Sequence, residues 1–258
     1  MEEHQITFIV ENIDASTYIA LPLIRLAKKF KSTISIINIT QNRSTELSKA
    51  ISVYQAVFQR GDVCQITANG VDAELTCFVM KNLIAEYYVL VGSEISYRFS
   101  DSLSLRLPQL KTRSDIRWHY AKSQTELTKY ECLRGLARLI NPSHSEQLLS
   151  AFLSREKSSP TCLTSGVALP HVMFEKTKQI SIAVITNDKS MDWESKLGRV
   201  NIAIGLVIPQ KPTMSQLNSI TNLTRNLLSD ETNERLVKTK KPVDLQAILM
   251  HATSTLFK

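Results

Sequence analysis

The chain has 258 residues, of which 43% are hydrophobic and 21% charged, so it can form one large or two ordinary globular domains. No apolar run approaches the roughly 20 residues of a membrane-spanning helix, and the polar, acidic first residues do not resemble a secretory signal. The four cysteines are scattered without a CxxC spacing, which argues against a zinc site or a disulfide framework and predicts reduced thiols in a cytoplasmic protein.

The net charge of +7 is concentrated in the second half of the chain. Residues 1–91 carry 8 basic and 9 acidic side chains, whereas residues 113–258 carry 20 and 13. The basic cluster at residues 238–242 lacks interleaved aromatic residues and matches no nucleic-acid motif. We therefore expect a solvated basic surface that could attract acidic proteins or phosphorylated groups, and we do not expect nucleic acid as a partner.

The first third of the chain alternates between strand-like and helix-like segments. Strands are predicted at residues 4–10, 32–39 and 63–68, and helices at residues 18–30, 46–58 and 71–88. This order predicts an α/β unit over residues 1–91.

Two segments of this unit, LAKKFKSTI at residues 26–34 and GDVCQITANGVDAE at residues 61–74, resemble the small phosphocarrier protein HPr. The resemblance implies an open-faced β-sandwich. The phosphorylated histidine of the HPr motif H-x-R-P is missing, because the chain has no histidine between His4 and His119. Either Ser16, which we expect to be a helix N-cap, or Ile19 takes its place, depending on the alignment. The resemblance thus implies a domain that has lost its phosphorylation site, with a docking or inhibitory role.

Residues 92–112 are rich in serine with mixed charge, and we interpret them as a linker. Regular patterns resume at Arg113, with a first helix that a Ser123–Glu126 capping box would open. Predicted strands lie at residues 116–120, 179–185 and 200–208. This first helix is predicted to end at Ile140, and two further helices are predicted at residues 146–154 and 215–228.

The segment REKSSPTCLTSGVALPH, residues 155–171, places a single histidine directly after a proline. Histidine can act as a nucleophile and transfer a group at neutral pH. This segment, the MDW sequence at residues 191–193 and the VNIAIGLVIP strand at residues 200–209 resemble enzyme IIA domains of the mannitol/fructose type from the bacterial sugar phosphotransferase system. The resemblance covers residues 113–258 and implies a mixed-sheet α/β domain.

The resemblance also implies roles for individual residues. His171 would carry the phosphoryl group, and Arg155 would stabilise its charge with a planar, permanently charged guanidinium. Thr161 and Gly166 would shape the intervening loop, where glycine permits a positive φ or a close backbone approach. Gln216 replaces a second histidine of the family, and an amide can donate a hydrogen bond but cannot become a cation. Slower transfer or a less stable phosphohistidine is therefore expected.

The sequence thus favours a phosphocarrier that accepts a phosphoryl group from phospho-HPr on His171 and passes it to a cysteine of a fructose/mannitol-type enzyme IIB. No metal or small cofactor is expected. The alternative is a non-catalytic regulator that binds a target protein according to phosphorylation state. The sequence does not decide which ring nitrogen of His171 would attack.

Overall fold

Two five-stranded β-sheets, built from separate parts of the chain, form the framework of the protein. The computed structural model describes residues 3–11, 14–49, 53, 58–92, 98–100 and 102–257. Among the helices of these residues, none has the length and apolar character needed to cross a membrane.

The N-terminal sheet has the strand order β3-β2-β4-β1-β5, and its strands pair antiparallel. Alternating side chains on β1, β2 and β4 point towards the helices at residues 14–27 and 73–87, because successive residues of a strand face opposite sides. Both helices therefore cover the same face, which confirms the predicted open-faced β-sandwich. The elements are β1 Glu3–Ile9, α1 Asp14–Ala27, β2 Thr33–Asn38, β3 Arg43–Glu46, β4 Val63–Asn69, α2 Ala73–Tyr87 and β5 Val89–Leu90.

Helix α1 differs in detail from the expectation. It begins at Asp14, so Ser16 lies within the helix and not at its N-cap position. As the predicted range of residues 18–30 requires, the helix continues through Pro22, although proline removes one backbone hydrogen bond. The burial of Leu23 and Ile24 against the sheet keeps the helix continuous past this position.

The helix predicted at residues 46–58 is only partly described. Its first residue, Glu46, ends strand β3, because Arg43–Glu46 pairs with β2 as a hairpin. Val53 is helical, and residues 50–52 and 54–57 lie outside the described residues.

The segment predicted as a linker contains helix α3, Leu103–Arg106, and a short 3-10 turn, Pro108–Leu110. Leu103, Leu107 and Leu110 are buried in the cluster that also includes residues of both sheets. The segment therefore contributes to the core, while the boundaries at residues 91 and 113 stay a prediction.

The C-terminal sheet is mixed. Strand β6 is parallel to β9, β9 is antiparallel to β10, and β10 is parallel to β7 and β8. Helices α4 and α5 cover one face, and α6, α7 and α8 cover the other, which confirms the mixed α/β class. The elements are β6 Ile116–Ser123, α4 Lys129–Ile140, α5 Ser145–Ser158, β7 Val167–Ala168, β8 His171–Phe174, β9 Ile180–Asp192, β10 Arg199–Pro209, α6 Met214–Asn226, α7 Asp230–Lys238 and α8 Pro242–Ser254.

The capping box that opens helix α4 is formed by Thr128 and Glu131, so the prediction of Ser123 and Glu126 was wrong. Strand β6 continues as far as Ser123, which pairs with Asn187 of β9. Ser123 therefore belongs to the sheet, and the helix begins only after a further loop.

The second face of the N-terminal sheet contacts helices α7 and α8. The Gln5 amide donates to the Lys238 carbonyl at 3.0 Å, and the Thr40 hydroxyl lies 2.8 Å from Nε2 of His251. Burial lowers the pKa of His251 to about 4, so this ring is neutral at pH 7. The two sheets are thus joined through side chains from distant parts of the sequence.

Candidate functional site

His171 is the first residue of β8 and lies at the edge of the C-terminal sheet. The carbonyl of the preceding Pro170 accepts a hydrogen bond from the Leu206 amide at 2.8 Å, and His171 itself is paired with Leu206 of β10. The flanking residues Leu169 and Val172 are buried, whereas the histidine is half-buried. The strand therefore fixes the backbone of a ring that solvent and a partner can still reach.

A backbone carbonyl fixes the tautomer of this histidine. Nδ1 of His171 lies 2.9 Å from the Leu169 carbonyl oxygen. A carbonyl oxygen can only accept, so Nδ1 carries the proton and Nε2 keeps its lone pair. The nucleophilic nitrogen of the neutral ring is consequently Nε2.

Arg155 stands beside that nitrogen. It lies in the last turn of α5, where its Nη1 donates to the Ser159 carbonyl at 2.9 Å. Its Nη2 lies 3.3 Å from Nε2 of His171. The structure thus brings together His171, the predicted phosphoryl acceptor, and Arg155, the residue predicted to stabilise the phosphoryl charge.

Thr161 anchors the loop between α5 and β7. It is buried, and its hydroxyl and backbone amide both donate to the carboxylate of Glu156. Its carbonyl accepts a hydrogen bond from the Leu169 amide at 2.9 Å. Thr161 therefore acts on the backbone of the loop, and its side chain faces Glu156.

Gly166 occupies the turn of the same loop with φ +82°, a conformation that residues with a side chain rarely adopt. A Cβ at this position would lie 3.2 Å from Oδ1 of Asn201. The Gly166 carbonyl accepts hydrogen bonds from the amides of Asn201 at 2.7 Å and Ile202 at 3.1 Å. The glycine thus lets the loop close tightly onto β10.

Gln216 has its polar atoms committed to the start of helix α6. Its side-chain Oε1 accepts from the Thr213 backbone amide at 2.9 Å, and its backbone amide donates to the Thr213 hydroxyl at 3.3 Å. These two hydrogen bonds form a capping box. Its Nε2 donates to the Lys178 carbonyl at 3.3 Å. Within the described part of the chain, no hydrogen bond joins Gln216 to His171.

The sequence did not single out Glu156 and Lys129, which form a buried ion pair next to Arg155. Their side chains are 3% and 13% exposed, and Nζ lies 3.2 Å from Oε2. Leu148 and Phe152 precede Glu156 on α5 at intervals of four residues, so Glu156 continues a buried apolar stripe. That spacing was the one available indication that its carboxylate is buried.

The arrangement suits the transfer of an anionic group. A lone pair on Nε2 is available for attack, a guanidinium next to it can neutralise negative charge, and the Nδ1–H bond to a carbonyl can stabilise a positive ring. Nothing in this chemistry requires the side chain of Gln216.

Comparison with known proteins supports this interpretation of the C-terminal part. A family profile described as phosphoenolpyruvate-dependent sugar phosphotransferase system, EIIA 2, matches residues 121–252. The chain is 33% identical over 109 residues to the fructose-like EIIA component of the phosphotransferase system from Escherichia coli K12, which covers 40% of this chain and 72% of that protein.

Two longer relatives match over shorter fractions of their length. The 2-O-alpha-mannosyl-D-glycerate-specific EIIABC component of Escherichia coli K12 is 32% identical over 117 residues, 44% of this chain and 18% of that protein. A probable licABCH operon regulator from Bacillus subtilis 168 is 35% identical over 85 residues, 33% of this chain and 13% of that protein. The chain therefore spans less than a fifth of the length of either protein.

The profile match covers half of the chain and contains Arg155, His171 and Gln216. The chain belongs to the EIIA type-2 family of the phosphoenolpyruvate-dependent sugar phosphotransferase system.

Proposed function

We propose that the protein is a phosphocarrier in which Nε2 of His171 accepts a phosphoryl group from a phosphorylated HPr and passes it to a cysteine of a fructose/mannitol-type enzyme IIB. The single observation that carries this proposal is the pair of contacts made by the ring. Nδ1 donates to the Leu169 carbonyl at 2.9 Å, and Nε2 lies 3.3 Å from Arg155.

The transfer can be written with these groups alone. The lone pair of Nε2 forms a bond to phosphorus while the bond between phosphorus and the donor nitrogen breaks, and the electron pair of that bond returns to the donor ring. The ring of His171 gains positive charge, which the Leu169 carbonyl stabilises through Nδ1–H. The Arg155 guanidinium stabilises the oxygens of the phosphoryl group in flight. No proton leaves Nδ1 in this step.

The HPr-like unit, proposed to cover residues 1–91, would act as a docking or inhibitory module. It has no histidine in its first helix, so the phosphoryl donor would be a separate HPr molecule. Residues 92–112 would join it to the EIIA unit at residues 113–258. A cytoplasmic setting is consistent with the four free cysteines, all of which are buried.

The test is phosphorylation in vitro with phosphoenolpyruvate, enzyme I and HPr. We expect label on the wild type that is stable in alkali and labile in acid, and no label on His171→Ala. Arg155→Gln removes the guanidinium next to Nε2, so its labelling rate should fall by about 10²-fold. His144→Ala, which changes a histidine of the same unit outside the site, is the matched control and should label normally.

A wild-type protein that takes up no label while HPr is phosphorylated would contradict the proposal. Label that persists in His171→Ala would show that the acceptor is another residue. Transfer onward is then measured with a purified fructose-type enzyme IIB, whose cysteine should gain the label that His171 loses.

A second candidate function is a regulator that binds a target protein according to phosphorylation state. It is favoured by the missing histidine of the HPr-like unit and by Gln216 in place of the second histidine of the family. One relative carries the description of an operon regulator. Labelling of His171 without transfer to any enzyme IIB would favour this function over the first.

A further inference from the structure

Glu156 is a carboxylate inside the protein, and Thr161, in the loop between α5 and β7, donates to it through both its backbone amide and its hydroxyl. Both of its oxygens lie 3.3 Å from the Thr161 amide nitrogen, and Oε1 also accepts from the Thr161 hydroxyl. Its Oε2 pairs with Lys129 at 3.2 Å. A buried charge is tolerated only when it is paired and hydrogen-bonded in this way, so these contacts determine where the loop begins.

Lys129 is held at the start of helix α4. The preceding Thr128 and the following Glu131 form the capping box of that helix, which fixes the backbone around Lys129. Its Nζ lies 3.5 Å from the exposed Glu194 and 6.0 Å from the centre of the Trp193 ring. The backbone position of Lys129 is thus fixed, and its ammonium group binds the Glu156 carboxylate.

Hydrogen bonds within the loop connect the pair of Glu156 and Lys129 to His171. Thr161 accepts from the Leu169 amide at 2.9 Å, and Cys162 and Ala168 form an antiparallel bridge one residue further along. Leu169 therefore has its N–H bound to Thr161, while its carbonyl accepts from Nδ1 of His171 at 2.9 Å. The contacts from Lys129 to the imidazole are therefore continuous.

We propose that Glu156, paired with Lys129, is a positioning residue that holds the Leu169 carbonyl against Nδ1 and so keeps the lone pair of His171 on Nε2. This inference deepens the proposed function, because it assumes that phosphoryl transfer occurs at His171. Glu156 acts through Thr161 and Leu169 and does not itself touch the phosphoryl group.

Glu156→Gln tests this role with almost no change of volume. Two of the groups around the carboxylate, the Thr161 amide and the Lys129 ammonium, can only donate, whereas the Thr161 hydroxyl can donate or accept. A glutamine has a single oxygen, for which the Thr161 amide and the Lys129 ammonium then compete, while its NH₂ can donate to the hydroxyl. We expect part of the His171 population to carry its proton on Nε2, and the labelling rate to fall at least about tenfold.

Two further variants make the result specific. In Lys129→Met/Glu156→Gln the glutamine oxygen is free to accept from Thr161, so the rate should return to within about threefold of the wild type. Glu146→Gln changes an exposed carboxylate of the same helix and should alter neither the labelling rate nor the tautomer of His171. The tautomer is read from long-range ¹H–¹⁵N NMR spectra of the unphosphorylated protein, with His171→Ala used to assign the signals.

The inference is overturned if folded Glu156→Gln keeps a rate within twofold of the wild type. It is equally overturned if the rate falls while the tautomer is unchanged. Should circular dichroism show that Glu156→Gln does not fold, Thr161→Val removes the hydroxyl contact alone and decides by the same two criteria. A wild type that takes up no label refutes the proposed function. The tautomer needs no phosphoryl donor, so in that case the NMR spectra of Glu156→Gln decide this inference alone, and a ring that keeps its proton on Nδ1 overturns it.

Discussion

Asp244 places a carboxylate inside the contact between the two sheets, and its substitution by asparagine should stabilise the protein at alkaline pH. It lies in the first turn of α8 and is 2% exposed. Its Oδ1 has no hydrogen-bond partner in the described part of the chain. Burial raises the pKa of Asp244 to about 6, although the charge of Lys241 acts in the opposite direction.

The magnitude follows from the pKa in the two states. The ordinary pKa of this carboxyl is 3.8, so the folded protein binds the proton more tightly by about two pH units. One pH unit corresponds to about 1.4 kcal/mol, and ionised Asp244 therefore costs the folded state about 3 kcal/mol at pH 8. The folded state holds the proton after the unfolded state has released it, so this contribution to stability is present below pH 4 and is lost as the pH rises through 6.

His251 has the opposite effect within the same pH range. Burial lowers its pKa to about 4 from 6.5, so the unfolded chain binds the proton first. Its contribution is present above pH 6.5 and is lost as the pH falls through 4. The slopes of Asp244 and His251 oppose each other, and we expect the unfolding free energy that these two residues contribute to change little between pH 4 and pH 6.5.

Asp244→Asn keeps the shape of the side chain and removes the charge. Its free energy of unfolding should exceed that of the wild type by about 2–3 kcal/mol at pH 8 and match it at pH 4. The variant should also become more stable as the pH rises from 4 to 6.5, because the stability that His251 gains over this range is no longer offset by Asp244. Urea denaturation at five pH values measures both effects.

Asp115→Asn, which changes an exposed aspartate, is the matched control and should leave the profile unchanged. No gain for Asp244→Asn at pH 8 would refute the reasoning. A gain of equal size at every pH would also refute it, since an effect of charge must disappear once the carboxyl is protonated.

Two further substitutions test the loop and the start of α6. Gly166→Ala should lower the free energy of unfolding by about 1–3 kcal/mol, because the residue has φ +82° and its new Cβ would lie 3.2 Å from Oδ1 of Asn201. Gly198 has φ +102° with open space around it, so Gly198→Ala should lose only the stability that the strained backbone costs. Equal losses of stability for Gly166→Ala and Gly198→Ala in thermal unfolding would contradict this explanation. Gln216→Ala removes half of the capping box with Thr213 and should cost about 1 kcal/mol, with the labelling rate of His171 within twofold of the wild type. A tenfold change in that rate would show that Gln216 acts on the phosphoryl group.

Much of the fold could be predicted from local pattern. The patterns at residues 32–39, 71–88 and 179–185 gave the correct element types. The first two segments bury one face, and the strand at residues 180–185 is buried on both faces, so its residues are mostly apolar. The capping box at Ser123 was wrong because the pairing of β6 with β9 extends further than its apolar residues indicate. The short strand β3 was missed for the same reason, since Arg43–Glu46 is polar and is held by its hairpin partner.

The site was predictable in part. The segment from Arg155 to His171 could be recognised because its residues are contiguous and their order is characteristic. The ion pair of Glu156 and Lys129 could not, since it joins residues 27 positions apart and a charged pair has no periodicity. Gln216 was correctly placed at the start of a helix, but its commitment to the capping box depends on the geometry of Thr213.

By itself, the sequence determined the class of each unit, the candidate residues of the segment from Arg155 to His171 and the absence of a histidine from the HPr-like helix. These features follow from side-chain chemistry and from hydrophobic spacing along a continuous stretch of chain. Only the tertiary structure decided that the free lone pair of the neutral His171 ring is on Nε2, because the Leu169 carbonyl that binds Nδ1 is oriented by the closed loop. It also decided that Asp244 and His251 are buried against the N-terminal sheet, since a pKa depends on which distant segments exclude water from the group.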